Sequence, residues 1–386
     1  MNRKPHIVHI IASLHSGGVQ SVVLGLAKSK SLSTFKHSVV CLYETYGNVA
    51  QDFVDAGVDI HECILPFTKW PNIPYRLRNL PTPLFKFQFR SMLQRLLKNI
   101  QADVVHTHAP AFIDTQAQAA LESNLPWVWT IHGFFNHKPK DISEWKAAIN
   151  FAHQKKSQIV TVSNASKADL IQKTLFSRND IDVIYPGTEP SESKARIRNG
   201  KWRKKFGIEA EALVFGSVGR VSDEKGFDIA LKTMSLLRPK LPHSFFLILG
   251  DGESKAALES EANRLGLQDR FFILGFDNHP LQFLQELDVF VFPSRLEAFG
   301  LALVEAMSVG LPCIAADVGG TKEILDETAG MLIRSEDPDA LADAMLRMAT
   351  ASFRDSFSGG PDLAKNFTQE ICARNYLKVY EKLLKL

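Results

Sequence analysis

Short apolar runs recur along the chain, each closed by Gly, Pro or a polar residue, with longer stretches of helical spacing between them. His6–Ala12 reads as a strand, a Gly-Gly loop follows, and a helix runs from about Val19 to Ser29. Phe35–Tyr43, Asp59–Cys63, Asp103–His108, Trp127–Ile131, Gln158–Val162 and Asp182–Tyr185 are further strands. Helices are expected over Asp52–Ala56, near Thr115–Ser123, and after a Ser163 cap to about Leu175. Such alternation predicts parallel strands joined by right-handed helical crossovers, a doubly wound α/β sheet.

The pattern pauses at Pro186-Gly187, and the stretch from Pro190 to Gly200 is polar and irregular. It restarts at Leu213–Val218 and continues through Ser244–Gly250, Arg270–Leu274, Val289–Pro293, Pro312–Ala316 and Gly330–Ile333. The expectation is two Rossmann-like doubly wound domains, 1–190 and 191–365, facing across a cleft bordered by the carboxyl ends of their strands. The segment 366–386 reads as a terminal helix, about Thr368–Leu384, able to cross back to the first domain.

Composition narrows the class. With 386 residues, 45% hydrophobic and 23% charged, the chain suits two globular domains rather than a disordered protein. Net charge is +3, but residues 1–195 carry 21 basic against 15 acidic groups and residues 196–386 carry 24 against 27. The first half therefore favours an anionic partner or surface. The excess is too small to make nucleic acid the substrate, and no nucleic-acid-binding motif is present. Cys41, Cys63, Cys313 and Cys372 lie far apart, without Cys-x-x-Cys spacing, so neither a zinc site nor a redox pair is expected. The thiols fit a reducing cytoplasm. The apolar stretch at the N-terminus is too short for a secretory signal, and no run approaches a membrane span.

Residues 67–98 stand apart. They hold Lys69, Arg76, Arg78, Lys86, Arg90, Arg95 and Lys98 with no acid, interleaved with Phe67, Trp70, Tyr75, Phe85, Phe87 and Phe89. Basic and aromatic residues together favour an anionic bilayer interface; the plainer reading is a basic helix packed on its own domain.

The densest chemistry is in residues 293–307. A strand ends at Pro293, a loop carries Glu297, and a helix begins near Phe299-Gly300 with Glu305 inside it. A carboxylate suits paired sugar hydroxyls, and the amides of a helix start suit phosphate oxygens. Acids near a helix start are also common for the dipole alone. Arg220 and Lys225, between Gly219 and Gly226 after another strand, add a planar fork and a mobile point charge for phosphate. Gly250-Asp251-Gly252 ends a third strand; close approach of a ribose or base and a simple tight turn are both open. In the first half, Ser16-Gly17-Gly18 could offer amides to an anion, while His108 and His132-Gly133 follow strand ends. A Gly-x-Gly-x-x-Gly fingerprint and a phosphate-loop Gly-Lys-Ser/Thr are both absent from the sequence.

Together these residues resemble the retaining glycosyltransferases of family four, which have the GT-B fold. The resemblance runs through Ser-Gly-Gly at 16–18, Thr-Ile-His-Gly at 130–133, Val-Ser-Asn-Ala-Ser-Lys-Ala-Asp-Leu at 162–170 and Ile-Tyr-Pro-Gly-Thr at 184–188. It continues with Val-Gly-Arg at 218–220, Glu-Lys-Gly at 224–226, Gly-Asp-Gly at 250–252, the Glu-x7-Glu pair and Gly319-Gly320. It implies that Arg220 and Lys225 bind the donor diphosphate, and that Glu305 binds the ribose. Glu297, with the amides of Phe299, Gly300 and Leu301, would hold sugar and phosphate. His132 would lie beside the transferred sugar. Gly17, Gly18, Gly219 and Gly252 join the donor-binding set. Many members carry an acid shortly after the Gly-Gly, where this chain has Val19 and Gln20.

The implied reaction moves a hexose from a nucleoside-diphosphate sugar to an acceptor with retention of configuration. It uses no metal and no cofactor beyond the donor. A lipid-linked or growing glycan of cell-surface polysaccharide or lipopolysaccharide is the expected acceptor, at the cytoplasmic face of a membrane. A small soluble acceptor, a sugar-nucleotide epimerase and a non-catalytic sugar-nucleotide-binding subunit remain as alternatives.

Overall fold

The computed structural model describes residues 3–63, 83–134, 139–153, 157–174, 180–189, 197–277 and 279–385. Its backbone contacts divide it into two units: Met1–Gly187 with Gln369–Leu386, and Thr188–Thr368.

The first unit is built on a seven-stranded parallel sheet. Its strands are β1 (His6–Ile11), β2 (Lys36–Cys41), β3 (Asp59–Glu62), β4 (Val104–Thr107), β5 (Trp127–Ile131), β6 (Ser157–Thr161) and β7 (Ile181–Val183). The order is β3-β2-β1-β4-β5-β6-β7, so the winding reverses between β1 and β4. Helices cover the sheet, which is why β1, β4 and β5 are buried along their whole length instead of alternating. The core includes Trp127, Trp129 and Trp145; Trp127 stacks on Trp129, and Trp145 meets Trp129 edge-on at 4.8 Å. Burial of each such ring contributes at least about 3 kcal/mol. Ser163 Oγ accepts the amide of Ser166, the side-chain cap that starts helix Asn164–Lys173.

The terminal helix Gln369–Leu384 belongs to this first unit. Its Tyr376 and Tyr380 are fully buried. Tyr380 hydroxyl lies 2.7 Å from His106 Nδ1, and Tyr376 hydroxyl lies 2.8 Å from Thr130 Oγ1. Glu370 accepts hydrogen bonds from Ser29 and Ser31. The helix thus closes the sheet with polar pairs as well as apolar surface.

The second unit has six parallel strands: β8 (Leu213–Val218), β9 (Ser244–Leu249), β10 (Phe271–Ile273), β11 (Val289–Phe292), β12 (Cys313–Ala316) and β13 (Gly330–Ile333). Their order is β10-β9-β8-β11-β12-β13, reversing between β8 and β11. Helix Pro338–Ala349 starts on an Asp337 side-chain cap with Pro at its first position, and lays Leu341, Ala344, Met345 and Met348 on the core. At the amino ends of the central strands β8 and β11, buried Arg203 donates to Asp288 Oδ2 at 2.9 Å and to the Glu286 carbonyl, while Glu286 and Asp288 accept backbone amides. All four cysteines are buried free thiols. No helix among the described residues is long and apolar enough to cross a membrane.

Candidate functional site

In an open parallel sheet, the point where strand order reverses leaves adjacent loops diverging at the carboxyl ends, and ligands enter there. In the second unit that point lies between β8 and β11. The loop after β8 carries Arg220 and Lys225; the loop after β11 carries Glu297.

Two devices bring these loops together. Gly226 has φ of +65°, and a Cβ there would stand 2.1 Å from the Pro293 carbonyl oxygen, so only glycine fits. Arg295 supplies the second: its amide donates to the Glu224 carbonyl, and its guanidinium makes a bidentate pair with Asp228 at 2.7 and 2.8 Å. That pair lowers the Asp228 carboxyl below its ordinary range and raises the arginine. Sequence reasoning passed over Arg295, although its place between Pro293 and Glu297 was a signal.

The pinned loops set Lys225 Nζ 2.5 Å from Glu297 Oε2, both mostly buried. The ammonium also lies 5.4 Å from the centre of the Phe292 ring. Arg220 is exposed and has no side-chain partner among the described residues. Gly300 takes φ of +118° immediately before helix Leu301–Ser308, one residue later than the expected start. The helix therefore opens with the amides of Gly300 and Leu301, and Glu305 sits in its second turn. Phe299 turns its ring inward, edge-on to Phe367. Glu305 is half-buried and makes no side-chain hydrogen bond among the described residues; burial pushes its carboxyl up to about 7.

Some glycines owe their identity to packing. A Cβ on Gly252 would lie 2.3 Å from the Val221 carbonyl oxygen, one on Gly250 1.8 Å from that of Gly219, and one on Gly320 2.6 Å from that of Ala298. These contacts hold the 219–221 and 297–299 loops against their neighbours.

In the first unit the reversal lies between β1 and β4. Gly17 and Gly18 follow β1 at the start of helix Gly18–Lys28 and are exposed. The Ser16 amide is taken by Asn48 Oδ1 at 2.7 Å, and Gln20 donates to the Ser13 carbonyl, so the residue at the departing position braces its own loop. His108 follows β4, and half-buried His132 follows β5; His108 Nδ1 and His132 Nε2 are 2.9 Å apart. The sequence treated each histidine singly. The fold joins them to His9 and His37 and sets His106 beside them. Ligand atoms of His9, His106 and His108 lie within 4.8 Å of one another, a cluster that the cysteine spacing had not led us to expect.

In the basic segment, residues 64–82 lie outside the described residues, with Lys69, Arg76 and Arg78 among them. Helix Pro83–Asn99 buries Phe89, Leu93 and Leu97 and exposes Phe87. Its Lys86 pairs with Asp114 and Glu144, and Arg90 pairs with Glu122. Those two cations hold the helix to its own unit.

Two Rossmann-like units, each with its own strand-order reversal and one with a Lys–Glu pair at that point, make up the two-domain architecture called GT-B. Residues 16–192 match the profile "Glycosyltransferase Family 4", and residues 199–357 match "Glycosyl transferases group 1". The chain belongs to this glycosyltransferase family. It is similar to the UDP-Gal:alpha-D-GlcNAc-diphosphoundecaprenol alpha-1,3-galactosyltransferase of Escherichia coli, with 31% identity over 66% of this chain and 68% of that one. It is also similar to the lipopolysaccharide core biosynthesis mannosyltransferase LpsB of Rhizobium meliloti, with 31% identity over 53% of this chain and 61% of that one. Among solved structures, Anabaena Alr3699/HepE in complex with UDP and glucose shares the fold at a TM-score of 0.79 and 21% identity, covering 98% of this chain and 99% of that one.

Proposed function

We propose that the protein transfers a hexose from a nucleoside-diphosphate hexose to a hydroxyl of a lipid-linked or growing surface glycan, with retention and without a metal. The observation that carries this is the Lys225–Glu297 pair on the loops at the strand-order reversal of the second unit, with Arg220 on the same loop as Lys225 and without a side-chain partner among the described residues. As the anomeric C–O bond breaks, negative charge grows on the leaving diphosphate. Two cations there supply the stabilisation a metal supplies elsewhere, about 3–4 kcal/mol for a well-placed group. Glu297 holds Lys225 in place and offers its second oxygen to a sugar hydroxyl. Glu305 accepts from ribose hydroxyls. The family resemblance assigns His132 to the transferred sugar. The acceptor oxygen bonds to the anomeric carbon on the face the leaving group departs from, its proton passes to the departing diphosphate oxygen, and the nucleoside diphosphate leaves.

The relatives named above support a lipid-linked or lipopolysaccharide acceptor; a cytoplasmic-face, peripheral setting is part of the same proposal. A thermal-shift screen of nucleoside diphosphates and their hexose conjugates, followed by NMR of the product's anomeric centre, tests the reading. Stabilisation by one nucleotide sugar and an unchanged anomeric configuration are expected. Inversion, or full turnover dependent on an added divalent cation, would overturn it. Membrane attachment is read separately, by co-sedimentation with anionic vesicles at low and high salt.

A further inference from the structure

Four histidines stand in file through the first unit. His132 Nε2 lies 2.9 Å from His108 Nδ1, His108 Nε2 lies 3.1 Å from His9 Nδ1, and His9 Nε2 lies 3.1 Å from His37 Nδ1. Three are more than nine-tenths buried; His132, at the outer end, is half-buried. Burial lowers all four below the usual imidazole range, His37 and His132 to about 4. At neutral pH each ring is therefore uncharged and carries one N–H.

A contact between two ring nitrogens needs one proton. Two would collide, and none would set lone pair against lone pair. With three contacts in series and one proton per ring, the choice made by any ring passes to the others. Either every ring is protonated on Nε2, or every ring is protonated on Nδ1. His37 closes the inner end: its Nδ1 is held by His9, and its Nε2 makes no hydrogen bond.

We propose that His37, His9 and His108 are positioning residues that tie the tautomer of His132 to that of His37, so that His132 Nδ1 meets a sugar hydroxyl in one fixed role. This rests on the assignment of His132 to the donor sugar. A sugar hydroxyl at that point meets a nitrogen whose protonation is set three rings away. His106 stands beside the file but outside it, with both nitrogens taken by Tyr380 and Thr130. The file satisfies both nitrogens of His9 and His108 without a cation, so a metal in this cluster would have to break it.

The test is nitrogen NMR of the full-length protein labelled with ¹⁵N-histidine at neutral pH. His9, His37, His108 and His132 are expected as neutral rings that all carry the proton on the same nitrogen. A mixture of Nε2–H and Nδ1–H rings, a charged ring among them, or zinc bound one-to-one in purified protein, would overturn the lock. His37→Phe removes the inner end; a second tautomer is then expected at His132, with the donor KM raised about fivefold, the scale of one hydrogen bond. His37→Gln supplies an amide that can bond to His9 Nε2 and is expected to bring the KM back toward wild type. A single unchanged His132 tautomer in His37→Phe would overturn the proposal; if that variant does not fold, the wild-type and His37→Gln spectra decide. Failure of the donor reading looks different: the tautomers hold, and no nucleotide sugar perturbs His132.

Discussion

Lys225 Nζ lies 2.5 Å from Glu297 Oε2, joining the loop after β8 to the loop after β11. The two residues are therefore not independent grips. Lys225→Ala is expected to lower kcat/KM by about 10²–10³, the loss typical of one transition-state donor group. It also leaves a mostly buried carboxylate unpaired. Glu297→Gln keeps the size and removes the charge. A double-mutant cycle on kcat/KM is expected to show losses that do not add. Additive losses would separate the two roles.

Arg220 offers the cleanest contrast. It is exposed and makes no side-chain bond among the described residues, so Arg220→Ala is expected to change unfolding free energy by less than about 0.5 kcal/mol. Donor turnover should nevertheless fall by orders of magnitude. Urea unfolding beside a turnover assay reads both; turnover near wild type would remove Arg220 from the diphosphate.

Glu305 has its carboxyl raised to about 7, against an ordinary value near 4.5. Its contribution to stability is complete below pH 4.5 and is lost as pH rises through 7. Glu305→Gln is thus expected to raise the melting temperature above pH 7, relative to wild type, and to leave it unchanged near pH 4. Donor affinity should fall at both pH values. A melting series with and without nucleoside diphosphate checks this.

The histidine file gives the opposite dependence. Its rings are less basic folded than unfolded, so the unfolded chain binds more protons between pH 6.5 and 4. Stability present above pH 6.5 is lost as pH falls through that window, by up to about 1.4 kcal/mol per pH unit for each ring involved. Replacing His37 with Gln should flatten the slope by one ring's share, measured by chemical unfolding at stepped pH.

Arg203 and Asp288 form an ion pair in which each side chain is only 2% exposed. Asp288→Ala leaves a buried guanidinium and an unpaired Val214 amide, and is expected to destabilise the second unit by about 3–5 kcal/mol. Calorimetry with a lower-temperature transition would show it.

Much of the architecture was readable in advance because a parallel strand covered on both faces has an apolar run that needs no partner to be recognised. Trp127–Ile131 and Leu213–Val218 match to the residue. The placement of the second unit's candidate residues was equally legible: Arg220, Lys225 and Glu297 lie at strand ends, where the reversal of order brings loops together. Pairings fixed by tertiary approach were hidden. Nothing in the neighbourhood of Lys225 says that Glu297, 72 positions away, neutralises it. Residues that act through others escaped as well. His9 and His37 look like ordinary strand residues, and only the register of β1, β2 and β4 stacks them into a file with His108.

The terminal helix has a bearing on how the molecule is made. Residues 369–384 are synthesised after the whole second unit, yet Tyr376 and Tyr380 complete the polar contacts of His106 and Thr130 inside the first. The unit that begins first on the ribosome is finished last. Until that helix arrives, the part of the seven-stranded sheet around His106 and Thr130 stands uncovered, open to water or to a wrong strand.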